Sequence, residues 1–200
     1  MSGSADQRQR ADARRNSGAI LDAAIRLLDA QPDASLDAIA GAAGVTRQTV
    51  YAHFPSREHL MTAVVRRITD EAVAAMDAAE PDRGSATDAL LRVLEAGAQT
   101  AGRYPVLIQQ IASLPASPQV DEERHAPVAD RIDRVIRRGQ ASGEFDSGLP
   151  AGLLAAITIK IGHAVGEEVD AGRLSRAEAA DALRTVLIRL LRPSGDHAGR

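Results

Sequence analysis

Arg47, Gln48 and Tyr51 stand close together in a polar run, Thr46-Arg47-Gln48-Thr49, whose only apolar anchor before the tyrosine is Val50. Side chains of this kind suit recognition of a nucleic acid. A guanidinium can fork onto guanine and a carboxamide onto adenine. A phenol hydroxyl can reach a phosphate while its ring packs on the scaffold. Enzymatic chemistry has no comparable support. The histidines, His53, His59, His125, His163 and His197, show no metal-ligand spacing. No serine lies in a nucleophile elbow and no glycine-rich phosphate loop follows a strand. The expectation is a protein that is not an enzyme and needs no cofactor and no metal.

A run of exposed polar side chains can act only if short helices hold it outward. Leu36, Ile39, Ala40 and Ala43 recur at helical spacing behind Ser35, a good N-cap, and Gly44 is a C-terminal stop. Thr46 caps a further helix that runs to about His53. Two short helices joined by a tight turn form a helix-turn-helix. The motif needs a small residue at the crossing, here Ala40, and a residue tolerant of positive φ, here Gly44. Val45 and Val50 serve as apolar plugs beneath the second helix. A purely structural helix has no need of Arg47-Gln48-Thr49 directed away from the core. A recognition helix does, because its first turn meets base edges in the major groove.

The flanking sequence is helical throughout. Ile20, Ala23, Ala24, Leu27 and Leu28 form one stripe behind Asn16 or Ser17 as the cap. Ser56 opens a long helix with Leu60, Val64, Ile68, Ala72, Ala75 and Met76 on one side. Beyond it, helices are expected at about 86–101, 105–113, 121–141 and 150–170, with a last one from Ser175 to near Pro193. The segment 114–120 is expected to be a loop, and 143–149 a turn. Hydrophobic residues make up 44% of the chain but aromatics only 2%, so the core is built of Ala, Leu, Ile and Val. The fold class is all-α. Net charge is −3, but positive charge is local: Arg47, Arg57, Arg66 and Arg67 face Glu58 alone in 44–67. The arginine and alanine bias is otherwise the mark of a GC-rich genome. No run approaches the ~18 apolar residues of a membrane helix. No signal-peptide core opens the chain, so a cytoplasmic protein without membrane contact is expected.

In combination, "ILDAAIRLL" (20–28), "SLDAIAGAAGVTRQTVYAHF" (35–54) and "PSREHL" (55–60) resemble the DNA-binding domain of the TetR family of bacterial transcription regulators. The resemblance covers about a quarter of the chain. The link Pro32-Asp33-Ala34 is about two residues shorter than the family's usual one. The resemblance implies an N-terminal three-helix helix-turn-helix domain and a C-terminal helical ligand-binding and dimerisation domain. The expected divisions are a disordered basic arm (1–15), the DNA-binding domain (16–62), the second domain (63–193) and a disordered tail (194–200). The DNA-binding set is Ser35, Thr46, Arg47, Gln48, Thr49, Tyr51, His53 and Arg57. Phe54 is expected to turn inward as core. Arg57 lies at the wrong end of its helix for the dipole, which a phosphate partner would offset.

The implied partners are a double-stranded DNA operator, an unknown small-molecule effector and a second copy of the chain. The implied function is a ligand-responsive regulator, in first place a repressor on an inverted repeat. The alternatives are an activator, or a helical sensor without DNA binding. Helix 150–170 is apolar almost all round, and the dimer is expected through Leu153, Ile157, Leu183, Leu187 and Leu190. Ligand contacts are expected from Tyr104, Gln109, His125 and His163, with Gln110 and Lys160 also among the polar residues on apolar faces. So few aromatics point to a largely aliphatic effector and place a flat aromatic cation last.

Overall fold

A computed structural model of the chain describes residues 3–113 and 117–193, and among them every regular element is an α-helix. These are α1 (Gly3–Ala30), α2 (Leu36–Ala43), α3 (Arg47–His53), α4 (Arg57–Ala78), α5 (Ala86–Ala101), α6 (Pro105–Ala112), α7 (Pro118–Ser142), α8 (Ala151–Asp170) and α9 (Arg176–Leu191). The chain divides into two compact units. One takes the described residues up to 71 and those of 99–120; the other takes 72–98 and those from 121 on.

Two boundaries differ from expectation. The arm expected to be disordered over 1–15 is helical from Gly3, as part of α1. Neither glycine nor proline interrupts 4–17, the segment is rich in the good helix formers Ala, Arg and Gln, and Arg15 pairs with Asp12 one turn away. Helix α7 opens at Pro118 instead of 121; a proline's fixed φ suits a first helical turn, where its missing N–H leaves no bond unmade. The expected loop residues 114–116 and the tail 194–200 lie outside the described residues, as do residues 1–2.

The first unit packs α1, α2, α3, the start of α4 and α6 around one core. Ile20, Ala24 and Leu28 of α1 meet Ile39 and Ala40 of α2, Val50 of α3, Leu60 and Val64 of α4, and Leu107 and Ile111 of α6. Between α2 and α3 the chain turns at Gly44, at φ 67°, while the Val45 N–H bonds back to the Ala40 carbonyl at 3.0 Å. That left-handed conformation carries a steric cost for any residue with a Cβ. Phe54, expected inward, is buried at the end of α3.

The second unit buries Met76, Leu90, Val93, Ile132, Ile136, Phe145, Leu154 and Leu191. Its turns are held by side chains. Arg138 donates to the carbonyls of Asp82, Gly84 and Ser85, and Arg92 to those of Ala79, Glu80 and Arg83. The Glu144 carboxylate accepts the Ala86 and Thr87 N–H groups at the start of α5, and those amides hold its pKa below the ordinary value. The Phe145 ring lies on Gly139, where an added Cβ would stand 2.1 Å from a ring carbon. Ser175 and Glu178 close a capping box on α9.

Leu187, expected at a dimer interface, is buried within the chain itself at 1% exposure. Leu190 packs against the core of the second unit. The apolar residues of α9 cover more than one stripe, and periodicity does not say which stripe the chain itself covers. Leu187→Ala is therefore expected to lower stability by about 2–5 kcal/mol in chemical denaturation and to leave the assembly state unchanged in light scattering. An equally stable chain that dissociates more readily would return Leu187 to the interface.

Candidate nucleic-acid interface

Helix α3 has seven residues, and Val50 is its one fully buried side chain. That plug, with Phe54 just beyond, leaves the first turn outward. Thr46 caps the helix: its hydroxyl accepts the Thr49 N–H at 3.2 Å and lies 2.8 Å from the Thr49 hydroxyl. Both threonines are thus committed to the helix start. Gln48 is exposed, and its side chain makes no hydrogen bond among the described residues. Tyr51 is 38% exposed. His53 is half-buried, with its ring 6.2 Å from that of Phe54. Ser35 caps α2 by accepting the Ala38 N–H at 3.2 Å.

Two arginines of the expected set have partners that sequence reasoning missed. Arg47 donates to the Asp37 carboxylate at 2.7 Å and to the Tyr51 hydroxyl at 3.4 Å, with its guanidinium carbon 5.2 Å from the tyrosine ring centroid. The tyrosine hydroxyl and then the carboxylate raise its pKa further above its ordinary value. Arg57 is half-buried and turns its fork inward, onto the main-chain carbonyls of Ala34 and Pro32. A phosphate would need that same fork. The short link Pro32-Asp33-Ala34 thus draws on a side chain from α4, and Gln110 of α6 adds a bond to the Pro32 carbonyl at 3.3 Å. Asp29 caps α6 at the Leu107 N–H at 3.0 Å. The signal for Asp37 was present in the sequence: it is an acidic residue near the start of α2 with a basic stretch ahead of it.

The expected ligand residues fall in different units. Tyr104 is half-buried and lines an open cleft of about 560 Å³ with Asp22, Ile25, Arg26, Arg67, Asp70 and Glu71. This lining is charged, unlike the apolar pocket expected. Gln109, in the same unit, is exposed. His125 on α7 and His163 on α8 belong to the second unit, with ring centroids 5.0 Å apart. Of the expected dimer residues on α8, Leu153 is 48% exposed and Ile157 half-buried. Leu183 of α9 is half-buried, while Val186 and Ile188 are exposed. No group of three or more His, Cys, Asp or Glu among the described residues could hold a metal ion. No described helix is long and apolar enough to cross a membrane.

Residues 20–64 match the profile of a family described as bacterial regulatory proteins, tetR family. The chain is 46% identical over 77 residues to the HTH-type transcriptional repressor LfrR of Mycolicibacterium smegmatis, a match spanning 38% of this chain and 41% of that protein. The alignment thus covers less than half of the curated relative. Among solved structures, LfrR from Mycobacterium smegmatis in complex with proflavine superposes with a TM-score of 0.62 at 27% identity, over 90% of this chain and 99% of that one. A chain from Shewanella sp. PV-4 described as of the tetR family gives a TM-score of 0.67 at 26% identity, over 90% and 99%.

Gln48 and Arg57 separate reading from holding. Gln48→Ala is expected to keep full stability and to relax the base preference at one or two positions of a selected DNA site, at a cost of ~1–3 kcal/mol in discrimination. Arg57→Ala removes two charge-assisted hydrogen bonds and should lower the melting stability by about 1–3 kcal/mol. Identical base profiles for wild type and Gln48→Ala, or an Arg57→Ala chain of unchanged stability, would contradict this division.

Proposed function

This chain belongs to the tetR family of bacterial regulatory proteins, and from that premise we propose that it is a repressor. In this reading it binds an inverted-repeat operator as a homodimer and leaves it when a small molecule binds the second unit. One observation carries the DNA reading: α3 buries Val50 and exposes Arg47, Gln48 and Tyr51 on its outer side. A helix of this kind places its first turn in a major groove, and a two-fold dimer imposes its symmetry on the DNA. Repression is the reading because LfrR, 46% identical over 77 residues, is a repressor, and because occupancy of a promoter suffices to block it. The intact polar run at 46–49 weighs against a sensor that does not bind DNA.

The dimer face is assigned to the apolar side chains that the chain itself leaves uncovered on α8 and α9, Leu153, Ile157 and Val186. A mobility shift with DNA from upstream of the protein's own gene tests the function. A saturable, competitor-resistant shift is expected for wild type and a loss of both shift and dimer for Leu153→Glu. A Leu153→Glu chain that stays dimeric in light scattering places the interface elsewhere. Absence of any specific shift would contradict operator binding.

The effector proposal remains a largely aliphatic, weakly charged molecule that must favour one dimer arrangement over another to release DNA. LfrR is solved with proflavine, a planar aromatic, so the contrast is a real one. This chain has two tyrosines, two phenylalanines and no tryptophan. Tyr51 lies on the DNA face, Phe54 and Phe145 are buried, and Tyr104 belongs to the first unit. The described part of the second unit therefore offers no exposed phenyl, phenol or indole face for stacking. In thermal-shift screening, aliphatic compounds are expected to stabilise the chain and proflavine to leave it unmoved. Strong stabilisation by proflavine alone would overturn the aliphatic class.

A further inference from the structure

Asp37 is the acidic residue that touches the reading face. It follows the first helical position of α2, where a carboxylate is favoured by the helix N-terminus. It takes the Arg47 Nη1 at 2.7 Å, although the two side chains remain 52% and 65% exposed. On the other side, Tyr51 sits one helical turn along α3, offering its hydroxyl to Nη2 and its ring to the guanidinium plane. An exposed long side chain normally samples many rotamers, and a single exposed ion pair restrains it weakly. Three contacts from two helices restrain it more.

The chemistry of this clamp is asymmetric towards DNA. A phosphate approaching Arg47 meets the Asp37 carboxylate and finds one N–H of each fork nitrogen already engaged, by Asp37 and by Tyr51. The side chain is 65% exposed, so its remaining N–H groups are open to a guanine edge. A carboxylate next to bases also tolerates donor groups such as the cytosine or adenine amine. We propose that Asp37 is a specificity-determining positioning residue: with Tyr51 it holds the Arg47 guanidinium for base edges and withholds it from phosphates, so that Arg47 strengthens operator binding without strengthening binding to bulk DNA. The inference rests on the base-reading role of α3. It also agrees with the raised Arg47 pKa, whose causes are Tyr51 and Asp37. Discrimination of this kind comes from a repulsive element placed against the wrong partner.

The test uses the full chain, a duplex that wild type selects from a random pool, and random-sequence duplex of equal length. Affinities for both are measured by fluorescence anisotropy over a salt series, for wild type, Asp37→Asn, Arg47→Ala and the double variant. Asp37→Asn is expected to raise affinity for random duplex by roughly three- to tenfold. Its salt slope should steepen by about 0.9, one phosphate contact. Affinity for the selected duplex should change less, so the ratio of the two falls. In the Arg47→Ala background Asp37→Asn should have no effect, because the carboxylate acts through the arginine. Melting curves confirm that each variant is folded; Asp37→Ser, which can also cap, stands in if Asp37→Asn is not. An undiminished effect in the Arg47→Ala background overturns the proposal and makes Asp37 a mere nearby charge. Unchanged or equally weakened binding to both duplexes also overturns it. If wild type enriches no duplex at all, the base-reading role itself fails, and the proposal with it.

Discussion

A seven-residue helix does not hold itself together in water, because nucleation costs more than so few hydrogen bonds return. Helix α3 is such a helix, and its position comes from Val50, at 0% exposure, and from Phe54 just beyond its end. This burial is the constraint on which the reading face depends. It allows the rest of α3 to be polar, and it fixes which side chains point outward. Gly44 meets the same constraint from the other end: its left-handed turn brings α3 back across α2 without a long loop. A short helix, a tight turn and an apolar plug are one solution to one problem, the display of polar groups at a fixed angle.

Arginine does a second job in this chain. Arg57 holds the Pro32–Ala34 link, and Arg92 and Arg138 hold the turn between α4 and α5. In each case a forked donor bonds main-chain carbonyls of a turn, which matters because unpaired main-chain groups cost free energy comparable to a lost hydrogen bond. The arginine bias that composition attributes to genome content therefore includes side chains with defined structural partners. The link after α1 is the clearest case. Its Pro32 and Ala34 carbonyls take their donors from Arg57 of α4 and Gln110 of α6.

The parts of this structure that follow from local chemistry could be read from the sequence. Ser35, Thr46 and Ser175 cap helices as their types predict, Gly44 adopts the positive φ its position requires, and Phe54 turns inward. What could not be read depends on partners distant in sequence. Periodicity marks Leu187 as apolar but does not tell an internal core from an outer face. Charge alone marks Arg57 as a phosphate ligand but does not reveal the carbonyls of residues more than twenty positions earlier. The sequence marks Asp37 as an acidic residue near a basic stretch but does not reveal that its partner is Arg47. Over residues 3–15 polarity without an apolar stripe reads as absence of structure, yet their propensity favours the helix that forms.

The central claim is that the outer side of α3 lies against DNA. The chain has no cysteine, so an Ala52→Cys variant can carry a single iron-chelate cleavage reagent on the exposed side of α3, with Ala180→Cys on α9 as the reference. On a duplex selected by the wild-type protein, the label at 52 should cut at two sharp clusters related by a two-fold axis, one in each half-site, and the label at 180 should not cut. Diffuse cutting from position 52, or equal cutting from both labels, would contradict the account.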